Sequence, residues 1–173
     1  MLPSDDWHDE AVELAGFLRQ AAGDRAYASR RDLRPERLSP GLLASLYMVD
    51  VTSDASMGGG PWRYRFRLIG DELISMTGEN WTGRNLDSAL VGPRLPMFLS
   101  AFDEVMQTRK PTRTTHDFIN MRANVAYPAV RYLFPLSSDG ETIDVMLGYI
   151  VALSRHWIED DTAGERIAAF GRA

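Results

Sequence analysis

The sequence feature that most constrains the fold is an alternation of large apolar residues with arginines, which begins at Trp62 and runs to Leu68. Successive side chains of a β-strand point to opposite faces, so this pattern predicts a strand with one buried face. The predicted core face carries Trp62, Tyr64, Phe66 and Leu68, and the polar face carries Arg63, Arg65 and Arg67. Gly70 then interrupts the alternation, and the acidic residues Asp71 and Glu72 predict that a helix follows directly.

Length, composition and charge limit the classes of protein that this chain can form. With 173 residues and 45% hydrophobic content, it fits one domain with a sizeable core. The absence of cysteine excludes disulfides, thiolate metal sites, iron–sulfur clusters and cysteinyl cofactor adducts. A net charge of −5 argues against a nucleic-acid binder. The longest apolar run, 145–153, is shorter than the ~20 residues that span a bilayer. No secretory signal opens the chain, so we expect a cytoplasmic protein without membrane insertion.

The first part of the chain, residues 1–37, is predicted to form a helical leader. A helix is expected over residues 5–22, capped by Asp5 or Asp6 and ended by Gly23. One apolar stripe runs along it through Trp7, Ala11, Leu14, Leu18 and Ala21. Because the stripe is too short for a free-standing coiled coil, the helix must dock on another surface.

Five strands are predicted downstream, and helices separate the second from the third. The strands are expected at 47–51, 62–69, 113–121, 130–136 and 143–151, with a short helix at 71–77 and a longer one at 95–108. A domain over 38–155 would contain all of these elements, and 156–173 would form a polar tail.

The last predicted strand is apolar on both faces, which is typical of a central strand covered on both sides. Either the N-terminal helix or a partner subunit would cover its second face. We therefore expect dimer or partner contacts at Trp7, Leu14, Leu18, Leu133, Met146 and Ile150.

Four segments resemble those of PAS domains. They are 65–72, 102–111, 132–140 and, most specifically, Thr77 to Leu86, which is similar to the pattern T-G-x-x-x-x-G-R-x-L. Over residues 38–153 the chain resembles the short, stand-alone bacterial PAS proteins. This resemblance implies an α+β fold with a five-stranded antiparallel sheet and helices inserted between strands 2 and 3. It also implies a cytoplasmic binding or signalling module, without specifying a ligand.

The predicted interior between sheet and helices is the candidate ligand pocket. Its candidate residues are Phe66, Met76, Trp81, Phe98, Phe102, His116, Phe118, Tyr132 and Tyr149. These side chains either fill the core or leave part of it open for a small planar or apolar molecule. His116, Tyr132, Tyr149 and Trp81 would then supply hydrogen-bonding groups.

The cofactor is not specified by the sequence. Haem is disfavoured, because the helix at 95–108 contains no histidine to bind its iron. The light-sensing flavin subclass of PAS domains is excluded, because its adduct needs a cysteine, whereas noncovalent flavin stays open. His8, His116 and His156 show no metal-ligand spacing, so no protein metal site is expected.

The functional hypothesis is a non-enzymatic PAS sensor or adaptor that binds a small molecule, a partner protein or both. Because the chain ends about 20 residues after the last predicted strand, we expect a homodimer that signals to a separate protein. One alternative is a small cone-shaped α+β enzyme of the ketosteroid-isomerase or dehydratase type, with His116 and Asp117 as its only adjacent acid–base candidates. Neighbours in a strand face opposite sides, which argues against that pair. A ligand-free interaction scaffold is the other alternative.

Overall fold

The computed structural model describes residues 6–53, 62–90, 92, 94–120, 125–153 and 156–157. All of the predicted tail except 156–157 lies outside these ranges. The helices are α1 (Asp9–Ala22), α2 (Pro40–Ala44), α3 (Asp71–Thr77), α4 (Leu86–Ala89) and α5 (Arg94–Thr108). The strands are β1 (Leu46–Ser53), β2 (Trp62–Ile69), β3 (Thr112–Asn120), β4 (Val125–Leu136), β5 (Val145–Ala152) and β6 (His156–Trp157).

The strands form one antiparallel sheet in the order β2-β1-β5-β4-β3, and β6 pairs with the beginning of β4. The strand predicted to be central, β5, lies between β1 and β4. Helices α3, α4 and α5 are inserted between β2 and β3. The predicted α+β fold, with a five-stranded antiparallel sheet and helices between its second and third strands, is therefore confirmed.

Apolar residues fill both faces of the sheet. The inner core lies between the sheet and α3, α4 and α5, and it includes Phe66, Trp81, Phe98 and Leu133. The outer core lies between the sheet and α1. Within the described ranges, no helix combines the length and apolarity that crossing a bilayer requires.

Helix α1 covers the outer face of the sheet. The sequence predicted that either this helix or a partner subunit would cover the second face of the last strand. Ala11, Leu14 and Leu18 of the predicted stripe are buried in the outer core. The helix ends at Gly23, whose positive φ of 59° is a conformation that glycine adopts without strain. Its start is later than predicted: His8, rather than Asp5 or Asp6, precedes the first turn. The backbone N–H of His8 donates to the Tyr132 hydroxyl at 3.0 Å, which ties the start of α1 to the sheet.

A register shift in β2 corrects the predicted alternation near its end. Val49 pairs with Phe66 and Met48 pairs with Leu68, so one extra residue of β2 lies between the two pairs. The alternation is therefore reversed beyond this point. Leu68, predicted to face the core, is 48% exposed, and Ile69 is buried instead. Arg67 stays on the polar side, where its Nε lies 2.6 Å from Oδ1 of Asp50.

The predicted partner face is also corrected. Leu133, Met146 and Ile150 lie in the inner core and are almost completely buried. Leu14 and Leu18 are buried against the outer face, and Trp7 packs on the same cluster. On β4 and β5, the side chains predicted to meet a partner therefore face the inner core, and the tyrosines predicted to line the pocket face the outer core. These side chains are covered by helices of their own chain rather than presented to a partner.

Candidate functional site

The inner core is organised around Phe98, which α5 places over the middle of the sheet. Its position follows from the i, i+3, i+4 spacing of apolar residues on α5, which turns one face of the helix toward the sheet. Ring centroids of five neighbours lie 5.9–6.4 Å from that of Phe98: Phe66, Trp81, Phe102, His116 and Phe118. Most of these pairs meet edge to face, which is a favourable geometry for aromatic rings.

Seven of the nine predicted pocket residues come together here. Phe66, Met76, Trp81, Phe98, Phe102 and Phe118 lie in the inner core, and His116 contacts Phe98 and Phe118. The other two, Tyr132 and Tyr149, lie in the outer core and stack on each other with ring centroids 6.0 Å apart. Ligand binding at any of these residues stays a prediction.

Two of the expected hydrogen-bonding groups already have partners within the chain. The indole Nε1 of Trp81 donates to a carboxylate oxygen of Glu79 at 3.1 Å. The Tyr132 hydroxyl lies 2.6 Å from Nδ1 of His8, and its ring packs 4.8 Å from the Trp7 ring. Among the four groups expected to bind a ligand, His116 lies at the inner core and has polar atoms without a hydrogen-bond partner.

Arg131 is the functional candidate that the sequence analysis missed. It lies on β4, faces the inner core and is 1% exposed. Its guanidinium carbon stands 4.5 Å from the centroid of the Phe98 ring. Nε donates to the Thr114 hydroxyl at 3.3 Å, Nη2 donates to the Met97 carbonyl at 3.4 Å, and Nη1 has no hydrogen-bond partner.

Two more polar side chains of the inner core are buried without partners. The Tyr47 ring is fully buried against Gly148, and its hydroxyl lies beside the Arg131 guanidinium without meeting the geometry of a hydrogen bond. Both ring nitrogens of His116 are buried and unpaired. Burial raises the pKa of Tyr47 to about 12. Burial, reinforced by the positive charge of Arg131, lowers the pKa of His116 to about 3, so the imidazole is neutral at physiological pH.

Arg131 gives the inner core a positive charge that no ion pair among the described residues balances. None of the ion pairs found among the described residues includes Arg131. Desolvation lowers the pKa of Arg131, yet a guanidinium keeps its proton in proteins. The arrangement is therefore suited to holding a hydrogen-bond acceptor between aromatic walls. His116 and Asp117 do not form a hydrogen-bonded pair, since both ring nitrogens of His116 lack a partner.

A signal for Arg131 is present in the sequence. The stretch Ala129 to Leu136 is apolar except for this one arginine, which interrupts the strand at its middle. A charged residue in such a strand becomes buried only when another element packs over it. Here Phe98 and Phe102 of α5 pack against the guanidinium.

The depressed pKa of His116 predicts an acid-sensitive fold. Above about pH 6.5 the histidine is neutral in both states and contributes no pH dependence. As the pH falls toward 3, the unfolded chain binds a proton that the folded chain excludes. The free energy of unfolding should therefore fall by up to ~1.4 kcal/mol per pH unit. The variant His116→Gln should have a shallower slope in urea unfolding measured across this range. An unchanged slope would show that His116 is protonated in the folded state.

No protein-family model and no curated protein matches the sequence. Solved structures with a similar fold include light–oxygen–voltage (LOV) domains. The Aureochrome1 LOV photoreceptor is 16% identical, with 73% of this chain and 91% of that chain covered and a TM-score of 0.45. The LOV protein of Rhodobacter sphaeroides is 16% identical, with coverages of 72% and 68% and a TM-score of 0.45. The order of the five strands and the position of the inserted helices agree with the PAS-like fold that the resemblance implied.

Proposed function

We propose that this chain is a sensory PAS domain that binds a small molecule in its inner core. The observation that carries this proposal is the set of buried polar atoms without partners: the Tyr47 hydroxyl, both nitrogens of His116 and Nη1 of Arg131. Folded proteins pair the large majority of their buried polar atoms, so several unpaired ones in one core point to a missing partner. A bound molecule would provide that partner.

The strand that carries Arg131 offers a route from the site to the opposite surface. Arg131 faces the inner core, and its neighbour Tyr132 faces α1, where it contacts Trp7 and His8. A ligand that draws the guanidinium to a new position would move the backbone of β4. The same movement would alter the contacts that hold the start of α1. Output through α1 is therefore the mechanism that we propose.

The signal would pass to a separate protein in the cytoplasm, without catalysis by this domain and without nucleic acid. We further propose that the domain acts as a homodimer. Since Leu14 and Leu18 are buried by their own chain, the dimer contact would use the opposite side of α1, where Val12 is 42% exposed. Movement of α1 would then reach the second subunit directly.

Native mass spectrometry of the purified protein, alongside its absorption spectrum, tests this function. We expect a dimer whose mass exceeds that of two chains by a small molecule, and we expect the excess to disappear on denaturation. A dimer with no added mass and no ligand-induced stabilisation would instead favour a ligand-free interaction scaffold. A monomer carrying a ligand would retain the sensor and remove the dimer from the proposal.

A further inference from the structure

We infer that the molecule bound in the inner core is a carboxylate attached to an aromatic or other planar body, with Arg131 as the group that binds the carboxylate. This inference rests on the proposed function and specifies the chemical class of its ligand. It begins from the charge of Arg131, which is 1% exposed and makes no ion pair with the described residues.

The contacts that Arg131 makes within the chain do not replace an anion. The guanidinium carbon lies over the Phe98 ring, and this cation–π contact uses none of the N–H donors. Two of them reach neutral oxygens at 3.3 and 3.4 Å, which are long for hydrogen bonds from a charged donor. The Tyr47 hydroxyl lies nearby but forms no hydrogen bond of good geometry with Nη1, and it carries no charge. A carboxylate accepts two such bonds side by side, and this geometry fits the edge that is left open.

Among the residues that the structure describes, no carboxylate forms an ion pair with Arg131. Asp103 is the half-buried carboxylate of α5, and its Oδ1 accepts from the Tyr64 hydroxyl at 2.5 Å. Tyr64 lies on β2, and two strands, β1 and β5, separate β2 from β4, which carries Arg131. Since no ion pair among the described residues includes Arg131, we infer that a bound molecule supplies the balancing negative charge.

The remaining groups of the inner core define what surrounds the carboxylate. Tyr47 and the neutral imidazole of His116 each offer one more donor, and neither adds charge. One guanidinium balances one negative charge, so a monoanion suits this core better than a phosphate with two charges, which would leave a buried excess. The rings of Phe66, Trp81 and Phe102 pack directly on Phe98, so an apolar ligand body would enter this core by displacing ring contacts, and a flat body displaces least.

Thermal unfolding with benzoate as the probe tests this inference, and benzamide serves as the neutral isostere. We expect benzoate to raise the unfolding temperature of the natural protein in a saturable way, and we expect benzamide to have no such effect. Arg131→Met should weaken benzoate binding at least ~10-fold, because it removes the charged partner. Arg30→Met, at an exposed arginine far from the inner core, should bind benzoate as the natural protein does.

Stability without ligand separates binding from a structural role. If Arg131 is retained for an anion, Arg131→Met should be at least as stable as the natural protein when both are free of ligand. Tyr47→Phe provides a second variant that removes only an unpaired hydroxyl, and it should fold and bind benzoate more weakly. It keeps the inference testable if Arg131→Met does not fold.

Three outcomes would overturn the inference. They are benzoate binding that Arg131→Met leaves unchanged, equal binding of benzamide, and a natural protein that benzoate, phenylacetate and hexanoate all fail to stabilise. A neutral copurified molecule retained by Arg131→Met would reject the carboxylate and leave the sensor function intact. A natural protein without any bound molecule, together with a destabilised Arg131→Met, would reject both.

Discussion

Replacing Gly70 with alanine is expected to destabilise the fold by ~3 kcal/mol or more, at the upper end of the effect of overpacking. A Cβ at this position would overlap the backbone carbonyl oxygens of Ala44 and Leu46. Gly70 also donates its N–H to the Leu46 carbonyl at 2.8 Å, so the end of β2 is held directly against the start of β1. Backbone atoms cannot move aside as a flexible side chain can, and the strand pair would have to separate.

The matched control is Gly16→Ala, in the middle of α1. A Cβ there meets nothing within 4 Å, and alanine is the better helix former. This variant should be more stable than the natural protein by ~0.5–1 kcal/mol. Urea unfolding followed by circular dichroism measures both. Equal stability of Gly70→Ala and the natural protein would show that the corner between α2 and β1 shifts at no cost.

Phe98→Ala should produce the second large effect, a loss of ~3–5 kcal/mol in the free energy of unfolding. The ring lies at the centre of the inner core and contacts five other rings. Its removal leaves a cavity and also takes away the aromatic face under the Arg131 guanidinium. The buried charge would then have lost one of its few favourable contacts.

Phe17→Ala is the control for this prediction, since Phe17 is only partly buried at the margin of the outer core. It should cost clearly less than Phe98→Ala in the same urea unfolding experiment. If the two variants lost equal stability, the inner core around Phe98 would be less tightly packed than the ring contacts indicate. Added benzoate would then be expected to restore part of the stability of Phe98→Ala by occupying the space.

Local patterns were sufficient to predict the elements of this fold and their order. Alternation identified β2 up to Arg67, and the stripe through Ala11, Leu14 and Leu18 identified a helix that had to dock on a surface. Both patterns depend on side-chain direction within one element, which backbone geometry sets without reference to the rest of the chain. The central place of β5 followed from its two apolar faces, whereas the full strand order is seen only in the structure.

Local patterns did not predict which face of β4 and β5 points to the inner core. Leu133 and Tyr132 are both apolar enough to face either the inner or the outer core, so the pattern allowed two opposite assignments of these strand faces. The assignment made from the sequence was the wrong one. The register shift near Leu68 was missed for a similar reason. How β1 pairs with β2 depends on both strands and cannot be predicted from the sequence of either one. Tyr132 and Tyr149 were consequently assigned to the pocket, although they lie under α1.

The amino-acid sequence by itself determined the α+β class, the five strands, the helices between strands 2 and 3 and the docking of the N-terminal helix. Only the tertiary structure decided which face meets which helix, and hence that Arg131, Tyr47 and His116 share one buried core. The physical reason is that periodicity reports the direction of a side chain within its own element. Burial and unpaired hydrogen-bonding capacity arise only when distant elements close around that side chain.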